Sequence, residues 1–377
     1  MAWRFLAQRL NGDGTGTFVS TDLPLGDVTF TSTLSGDFTL SGAIDPRHPN
    51  AIGADGQPII RQWSTAIYPE IDGLIRGGGI ATGLSFDGPV MQIDAVGFTG
   101  YPRGMPYTDS WYGVEIDPLD AARHIWTHLQ GKAGGDLGLV LDGTTSPVRI
   151  GEELEEVEFE TGEGELVQFE AGPYKLAWWV TDDLGREFDD LAAETPFEYL
   201  EEHSWNEGQT DIVHRLRLGY PRLGRRRPDL RFVLGENVAI MPSISRPEED
   251  YASEVLVLGS GEGQDMIRGL SGRSTAGRLR RVSVVDDKAI QSKTRANDRA
   301  ARELARLNGD IEVATIEIRN HSHAPVGSFS PGDEIRLQAD TDWVNVDDWF
   351  RILTVTTNPS EGDAMTAAVV RADAMAL

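Results

Sequence analysis

The chain has 377 residues and carries 60 Asp and Glu against 34 Lys and Arg, a formal net charge of −26. With 25% charged and 40% hydrophobic residues, its composition is globular and its length suits two or three domains, which excludes a mini-protein and wholesale disorder. The acidic balance opposes tight binding to a polyphosphate, and the absence of cysteine excludes disulfides, thiolate metal sites and cysteine nucleophiles.

Met1 to Leu10 has neither the apolar stretch nor the small-residue cleavage site of a secretory signal. No window approaches the ~18 to 20 consecutive apolar residues of a membrane span, so a protein without a span and not exported by the usual route is expected. From Trp3 to about Tyr107, apolar and polar residues alternate: Val28 and Phe30, Phe38 and Leu40, then Met91, Ile93 and Ala95. That period of two, broken by Gly and Asp pairs, predicts short antiparallel strands, with a long loop around Asp45-Pro46 to Pro58 and a tight turn at Gly77-Gly78-Gly79.

Asp117 to Gly131 predicts a helix, with Asp117 as N-cap, Pro118 at the first position and Gly131 as the stop. Leu119, Ala122, Ile125, Trp126 and Leu129 share one face, and Asp120, His124 and His128 form an opposite, solvated stripe. Leu137 to Leu141 reads as a strand and Glu152 to Glu170 as an acidic hairpin. A second helix is expected over Asp182 to Glu194, with a short helical turn over Phe197 to His203. Strands return from Asp211 to Met241 around a basic loop, Arg222 with Arg225, Arg226 and Arg227, and again at Val255 to Leu258. A third helix spans about Ser292 to Leu307, with Ala296, Ala300, Leu304 and Leu307 on one face and Asn308-Gly309 as its cap. Four closing strands follow, over Ile311–Arg319, Glu334–Leu337, Trp349–Val355 and Ala364–Val370. Helices arrive singly between blocks of strands, so the expected class is mostly β (α+β) rather than a parallel sheet.

Few motifs point to chemistry. Val255 to Gly263 looks like the strand and Gly-rich turn of a nucleotide site, but Gln264 stands where the pattern needs Gly and no helix opens behind it, so a β-turn is the better reading. Gly131-Lys132 lacks the rest of a phosphate loop. His321 with His323, and the Asp120, His124, His128 stripe, lack a third ligand in a recognised order, and no metal or cofactor is expected. Adjacent carboxylates such as Asp182-Asp183, Asp189-Asp190 and Glu152-Glu153 arise by chance among 60 acids. The Arg222 to Arg227 island reads as an exposed loop or a contact for another subunit's carboxylates. Trp111, Tyr112, Trp178, Trp179 and Trp205 are either core and inter-domain packing or an interface.

In order along the chain, Asp22 to Leu25, Leu34 to Pro46 (LSGDFTLSGAIDP), Asp117 to Leu139, Asp183 to Trp205, Gly219 to Val238, Glu254 to Gly263 and Pro331 to Ile335 resemble the tail-hub, or minor tail, proteins of long-tailed bacteriophages that infect actinobacteria. The resemblance covers most of the chain through its collinearity. It implies a fold similar to phage baseplate hubs: a first β-barrel tube domain at 1–110, a helix-containing insertion at 111–206, a second barrel from 207–260 plus 310–377, and a second insertion at 261–309. It implies a homotrimeric ring at the distal end of the virion tail, assembled in the host cytoplasm. The implied partners are the distal tail protein, the tape-measure protein, the tail tube protein and receptor-binding or other minor tail proteins, with DNA only as transient lumen cargo. A structural role without catalysis is then expected, in which an acidic lumen would repel passing DNA. Arg222, Arg225, Arg226, Arg227, Trp111 and Tyr112 are candidate subunit or partner contacts. The rival reading is a β-rich carbohydrate-active hydrolase using a carboxylate pair, expected as a monomer with a deep aromatic cleft.

Overall fold

The computed structural model describes the chain except residues 1–2, 54–55, 154, 161–165, 241, 243, 246–250, 274–276, 289, 291, 308–311, 341–344, 362 and 373–377. It is mostly β, with three α-helices among the described residues. Two compact units divide the chain, one comprising Met1–Arg225, Val326–Gly332 and Thr354–Met365, the other Arg226–Pro325, Asp333–Leu353 and Thr366–Leu377.

In the first unit, strands Gly26–Thr33, Thr39–Ile44, Val90–Val96, Gly79–Asp87, Thr65–Ile71, Trp3–Leu10 and Gly16–Ser20 lie side by side in that order, all antiparallel. The period of two appears as burial: Met91, Ile93 and Ala95 are buried between exposed Gln92 and Asp94. Thr65–Ile71 is buried along its whole length because both of its faces are covered. Ile67 joins Val28, Phe30 and Ile93 in the strand core, while Ala66 and Tyr68 pack into a second core built on two helices. Residues of one strand thus serve two cores, and Trp3–Leu10 repeats the arrangement with Phe5 and Ala7 on one side and Leu6 on the other.

Helix α1 (Pro118–Gln130) begins and ends where its caps predict. The Asp117 carboxylate accepts from the Leu119 N–H at 3.0 Å, and also from the N–H and hydroxyl of Ser146 at 2.6 and 2.9 Å. Asp117 therefore caps the helix and pins the 142–148 segment from a buried position. Asp117→Ala would orphan three donors at once, so a loss of about 2 kcal/mol is expected, at the upper end for caps, with Asn recovering much of it. Urea unfolding of the three proteins checks this, and an Ala variant within a few tenths of wild type would show that Ser146 finds other partners.

Helix α2 (Leu184–Glu194) is capped by Asp183, which accepts from the Gly185 and Arg186 N–H groups. Trp126 of α1 meets Phe188 of α2 edge to face at 6.3 Å. The acidic segment forms a hairpin in which Val157 pairs with Phe169 and Phe159 with Val167; Leu154 lies outside the described residues.

Two local expectations are corrected. The tight turn is at Asp72-Gly73, both at positive φ, between Thr65–Ile71 and Leu74–Ile75. Gly77 instead permits close packing, since a Cβ there would stand 2.2 Å from the Phe38 ring. Phe197 to His203 is no helical turn: Glu198–Trp205 is a strand paired along its length with Ile212–Gly219, and Leu139–Leu141 joins that pair in parallel. Eight ladder partners outweigh a local reading of Glu-rich sequence.

In the second unit, Glu334–Asp340 pairs antiparallel with the first part of Asn345–Asn358 and parallel with Phe232–Val233. A smaller sheet, Arg268–Gly272, Glu254–Leu258 and Val282–Asp286, carries helix α3 (Lys293–Arg306). Ala296, Ala300, Leu304 and Leu307 bury against Val255 and Val257, the face read from the sequence. A Cβ on Gly269 would stand 2.1 Å from the Ala296 carbonyl carbon, so glycine lets the helix lie directly on the sheet. The proposed cap Asn308-Gly309 lies outside the described residues. After Leu258 the chain enters a short 3-10 turn at Gly263–Asp265 and then the next strand, which leaves a phosphate no helix N-terminus there. No helix among the described residues is long and apolar enough to cross a membrane.

Candidate functional site

Strand Ser110–Gly113 pairs antiparallel with Tyr174–Ala177, placing Trp111 opposite Leu176 and Tyr112 opposite Lys175. Alternation sends the first pair inward and the second outward. Trp111 stacks on His124 of α1 at 4.0 Å, and Leu176 is fully buried. Tyr112 is half exposed, and the ammonium of Lys175 lies 5.8 Å from its ring and 5.0 Å from that of Trp179. The chain then turns: the Trp178 N–H donates to the Asp109 carbonyl at 3.0 Å and the Val180 N–H to the Ala177 carbonyl at 2.9 Å. That turn presents Trp178, 67% exposed, and Trp179, 49% exposed, edge to face at 5.2 Å. Val180 and Val114 are exposed as well. Of the candidate contacts, Trp111 and Tyr112 therefore part company, one packing on the helix and the other joining an exposed aromatic face. Sequence reading left Trp178 and Trp179 undecided; a Trp-Trp pair just before a helix cap at Asp183 was the available signal.

The expected solvated stripe on α1 holds at Asp120, which is exposed, but His124 and His128 are partly covered. His124 Nε2 is 2.9 Å from the Tyr107 hydroxyl, His128 stacks on Tyr107 at 4.1 Å, and Asp120 pairs with Arg123 at 2.7 Å. Tyr107 and Trp111 cross this face and desolvate both imidazoles, lowering their pKa values. His321 and His323 lie with ring centroids 4.7 Å apart, His323 beside Glu236 at 3.4 Å. Among the described residues no group of three or more potential ligands converges.

The basic loop divides too. Arg226 pairs with Glu334 at 2.9 Å and lies over the Trp349 ring at 4.6 Å. Arg227 is buried: its Nη1 donates to Asp333 at 3.2 Å, and its Nε and Nη2 donate to Asp229 at 3.0 and 2.7 Å. These hydrogen bonds hold the guanidinium above its ordinary pKa, with Asp229 the larger influence. The expected exposed loop is thus corrected at Arg227, whose charge is neutralised within its own unit. Arg225 is exposed and Arg222 half-buried.

Adjacent carboxylates have structural duties. Asp182 pairs with Arg186, Asp183 caps α2, and Asp189 accepts from the Tyr199 hydroxyl at 2.5 Å and from Arg103 at 2.9 Å. His203 and His214 face each other across the strand pair, buried, with their Nδ1 atoms 2.9 Å apart. His203 Nε2 contacts Glu201 at 2.8 Å, and Glu201 also accepts from the N–H and hydroxyl of Thr99 at 2.9 and 3.1 Å.

No protein-family model and no curated protein matches the sequence. Solved structures do match the fold. The 43 kDa tail protein of prophage MuSo2 from Shewanella oneidensis aligns over 99% of this chain and 99% of its own, with a TM-score of 0.58 at 14% identity. A tail protein from Neisseria meningitidis aligns over 99% and 97%, with a TM-score of 0.55 at 14% identity. Prophage tail protein gp18 from Listeria monocytogenes aligns over 98% and 95%, with a TM-score of 0.56 at 10% identity. The chain is mostly β, as expected, and its fold resembles those of these phage tail proteins along nearly its whole length.

Proposed function

We propose that the chain is the structural tail-tip hub of a long-tailed actinobacteriophage, a homotrimeric ring that closes the distal tail tube. In this reading the ring binds the tape-measure, distal tail and tail tube proteins, presents a platform for receptor-binding proteins and conducts DNA during ejection. The carrying observation is the fold match, which extends over 99% of both this chain and the Shewanella prophage tail protein. The collinear sequence segments support the hub role, and the charge of −26 suits a wall past which DNA slides without adhering. Tube domains at 1–110 and 207–260 plus 310–377, with insertions at 111–206 and 261–309, belong to the same proposal, as does a role without catalysis. Tyr112, Trp178 and Trp179 are assigned to a partner contact, and Arg222, Arg225 and Arg226 stay candidate contacts in the same proposal; exposed aromatic residues are the usual anchors of such interfaces.

Light scattering and negative-stain averaging of the purified chain across salt concentrations test the ring. A three-fold particle with a central channel is expected, more stable at moderate than at low salt because assembly brings together three copies of an acidic subunit. A monomer at every concentration and salt that cleaves glycans would establish the hydrolase instead. Trp178→Ser with Trp179→Ser is expected to weaken association with the ring or a tail partner about thirtyfold, the effect of losing a ~2 kcal/mol anchor, without changing the melting temperature. Unchanged association would remove this face from the interface.

A further inference from the structure

The first unit contains a cavity of about 300 Å³. Leu200–Ser204 of the strand at the end of its three-stranded sheet form one wall, and Phe30, Val355, Phe329 and Met365 supply apolar surface. Two acids and two guanidinium groups line it: Glu201, Glu202, Arg76 and Arg215. Both acids are engaged, Glu201 by Thr99 and His203 and Glu202 by Arg217 at 2.8 Å.

Neither cation is held by a carboxylate among the described residues. Arg76 donates to the Val326 and Gly327 carbonyls at 3.4 and 3.2 Å, but its Nε is buried without a hydrogen-bond partner, and burial lowers its pKa against the opposing pull of Asp72. The Arg215 side chain, exposed at the cavity, makes no hydrogen bond or ion pair among the described residues. In a chain with 60 acidic residues, two guanidinium groups that line one cavity and pair with neither of its acids stand out. An unmatched buried donor costs roughly 1 to 3 kcal/mol and is retained where a ligand will satisfy it.

We propose that this cavity binds a carboxylate side chain of a partner protein, presented by a segment with an apolar neighbour, with Arg76 and Arg215 as its cationic jaws. Guanidinium matches a carboxylate in geometry, the apolar wall takes the adjoining side chain, and the sheet-end strand offers a peptide segment a backbone to run along. Glu201 and Glu202 disfavour a dianion such as phosphate, which separates this site from a general anion trap. The inference stands on the cavity alone and survives if the hub reading fails.

Arginine Nε–Hε resonances of the full chain give the test, titrated with a blocked leucyl-glutamate dipeptide, its leucyl-glutamine counterpart and inorganic phosphate. The acidic dipeptide is expected to shift the Arg76 signal and to bind at least about tenfold tighter than the glutamine form. Arg215→Gln, at an exposed position, is expected to weaken it about tenfold while leaving the melting temperature unchanged. Equal binding of the two dipeptides, displacement by equimolar phosphate, or an Arg76 signal that moves with none of the three would each overturn the proposal.

Discussion

Asp333→Ala is expected to destabilise the protein by about 3 kcal/mol, because it strips a buried guanidinium of its buried counter-ion. Arg227 and Asp333 have side chains only 11% and 8% exposed, and the Asp333 carbonyl also accepts from the Ile352 N–H at 2.9 Å. Removal of Asp333 takes one of two carboxylates from a guanidinium that is only 11% exposed. Asp229 remains on the other side of Arg227 in a two-point contact, which keeps the loss near the lower end for broken buried pairs. Asp229 is itself 55% exposed, so Asp229→Ala should cost no more than about 1 kcal/mol. Chemical denaturation of the two variants compares them directly. Equal losses would mean that Arg227 is solvated in solution and that the basic loop is mobile enough to reach a partner.

A fall in pH from 6.5 to 4 is expected to remove about 3 kcal/mol of stability through His214 alone, at about 1.4 kcal/mol per unit. Burial, with a smaller push from His203, lowers this imidazole to about 3. Its surroundings explain the direction: the Tyr68 ring stacks at 5.8 Å, Phe98 lies at 4.5 Å, and the nearest carboxylate contact, Glu201, goes to His203 instead. Gln8 bridges the Tyr68 hydroxyl to Asp211, so that acid is also engaged. A bond between two Nδ1 atoms holds one proton, so both rings cannot be cations in this arrangement. Above pH 6.5 folded and unfolded rings are both neutral and the contribution is complete. Below it the unfolded ring gains a proton that the folded ring refuses, and stability declines until the folded ring titrates near 3. Urea unfolding of wild type and His214→Gln at pH 7, 5.5 and 4 isolates this group from the carboxylates. The stability difference should change by about 3 kcal/mol over that range in the wild type's disfavour, whereas parallel curves would show that His214 charges in place.

What could be read from the sequence was local. Asp117, Pro118 and Gly131 act within one turn of the helix they bound, and Ala296, Ala300, Leu304 and Leu307 needed only a period of 3.6 to mark a buried face. Glu198–Trp205 failed because its conformation depends on Ile212–Gly219, and strand pairing leaves no mark inside the strand beyond its aromatic content. The α1 stripe failed at its two histidines for a similar reason, since only the path of Tyr107 to Tyr112 reveals that they are partly covered. Arg227 looked like its neighbours in sequence, yet its carboxylate at 333 lies 106 positions away. The cavity was illegible throughout, being assembled from stretches near residues 3, 30, 76, 201, 215, 327 and 355.

The interleaving of the two units bears on how the chain is made. Thr31 bonds to Thr356 across 325 positions, and Gly26–Thr33 has the final part of Asn345–Asn358 as its ladder neighbour. At roughly 5 to 20 residues per second, the first strand waits about 16 to 65 s on the ribosome for that neighbour to emerge. For that interval its outer side is an open template for a neighbouring nascent chain. Neither unit can be released by truncation at one point, and a fragment ending near residue 225 would leave the same side uncovered. Slow synthesis, crowded polysomes or early termination should therefore favour aggregation of this chain.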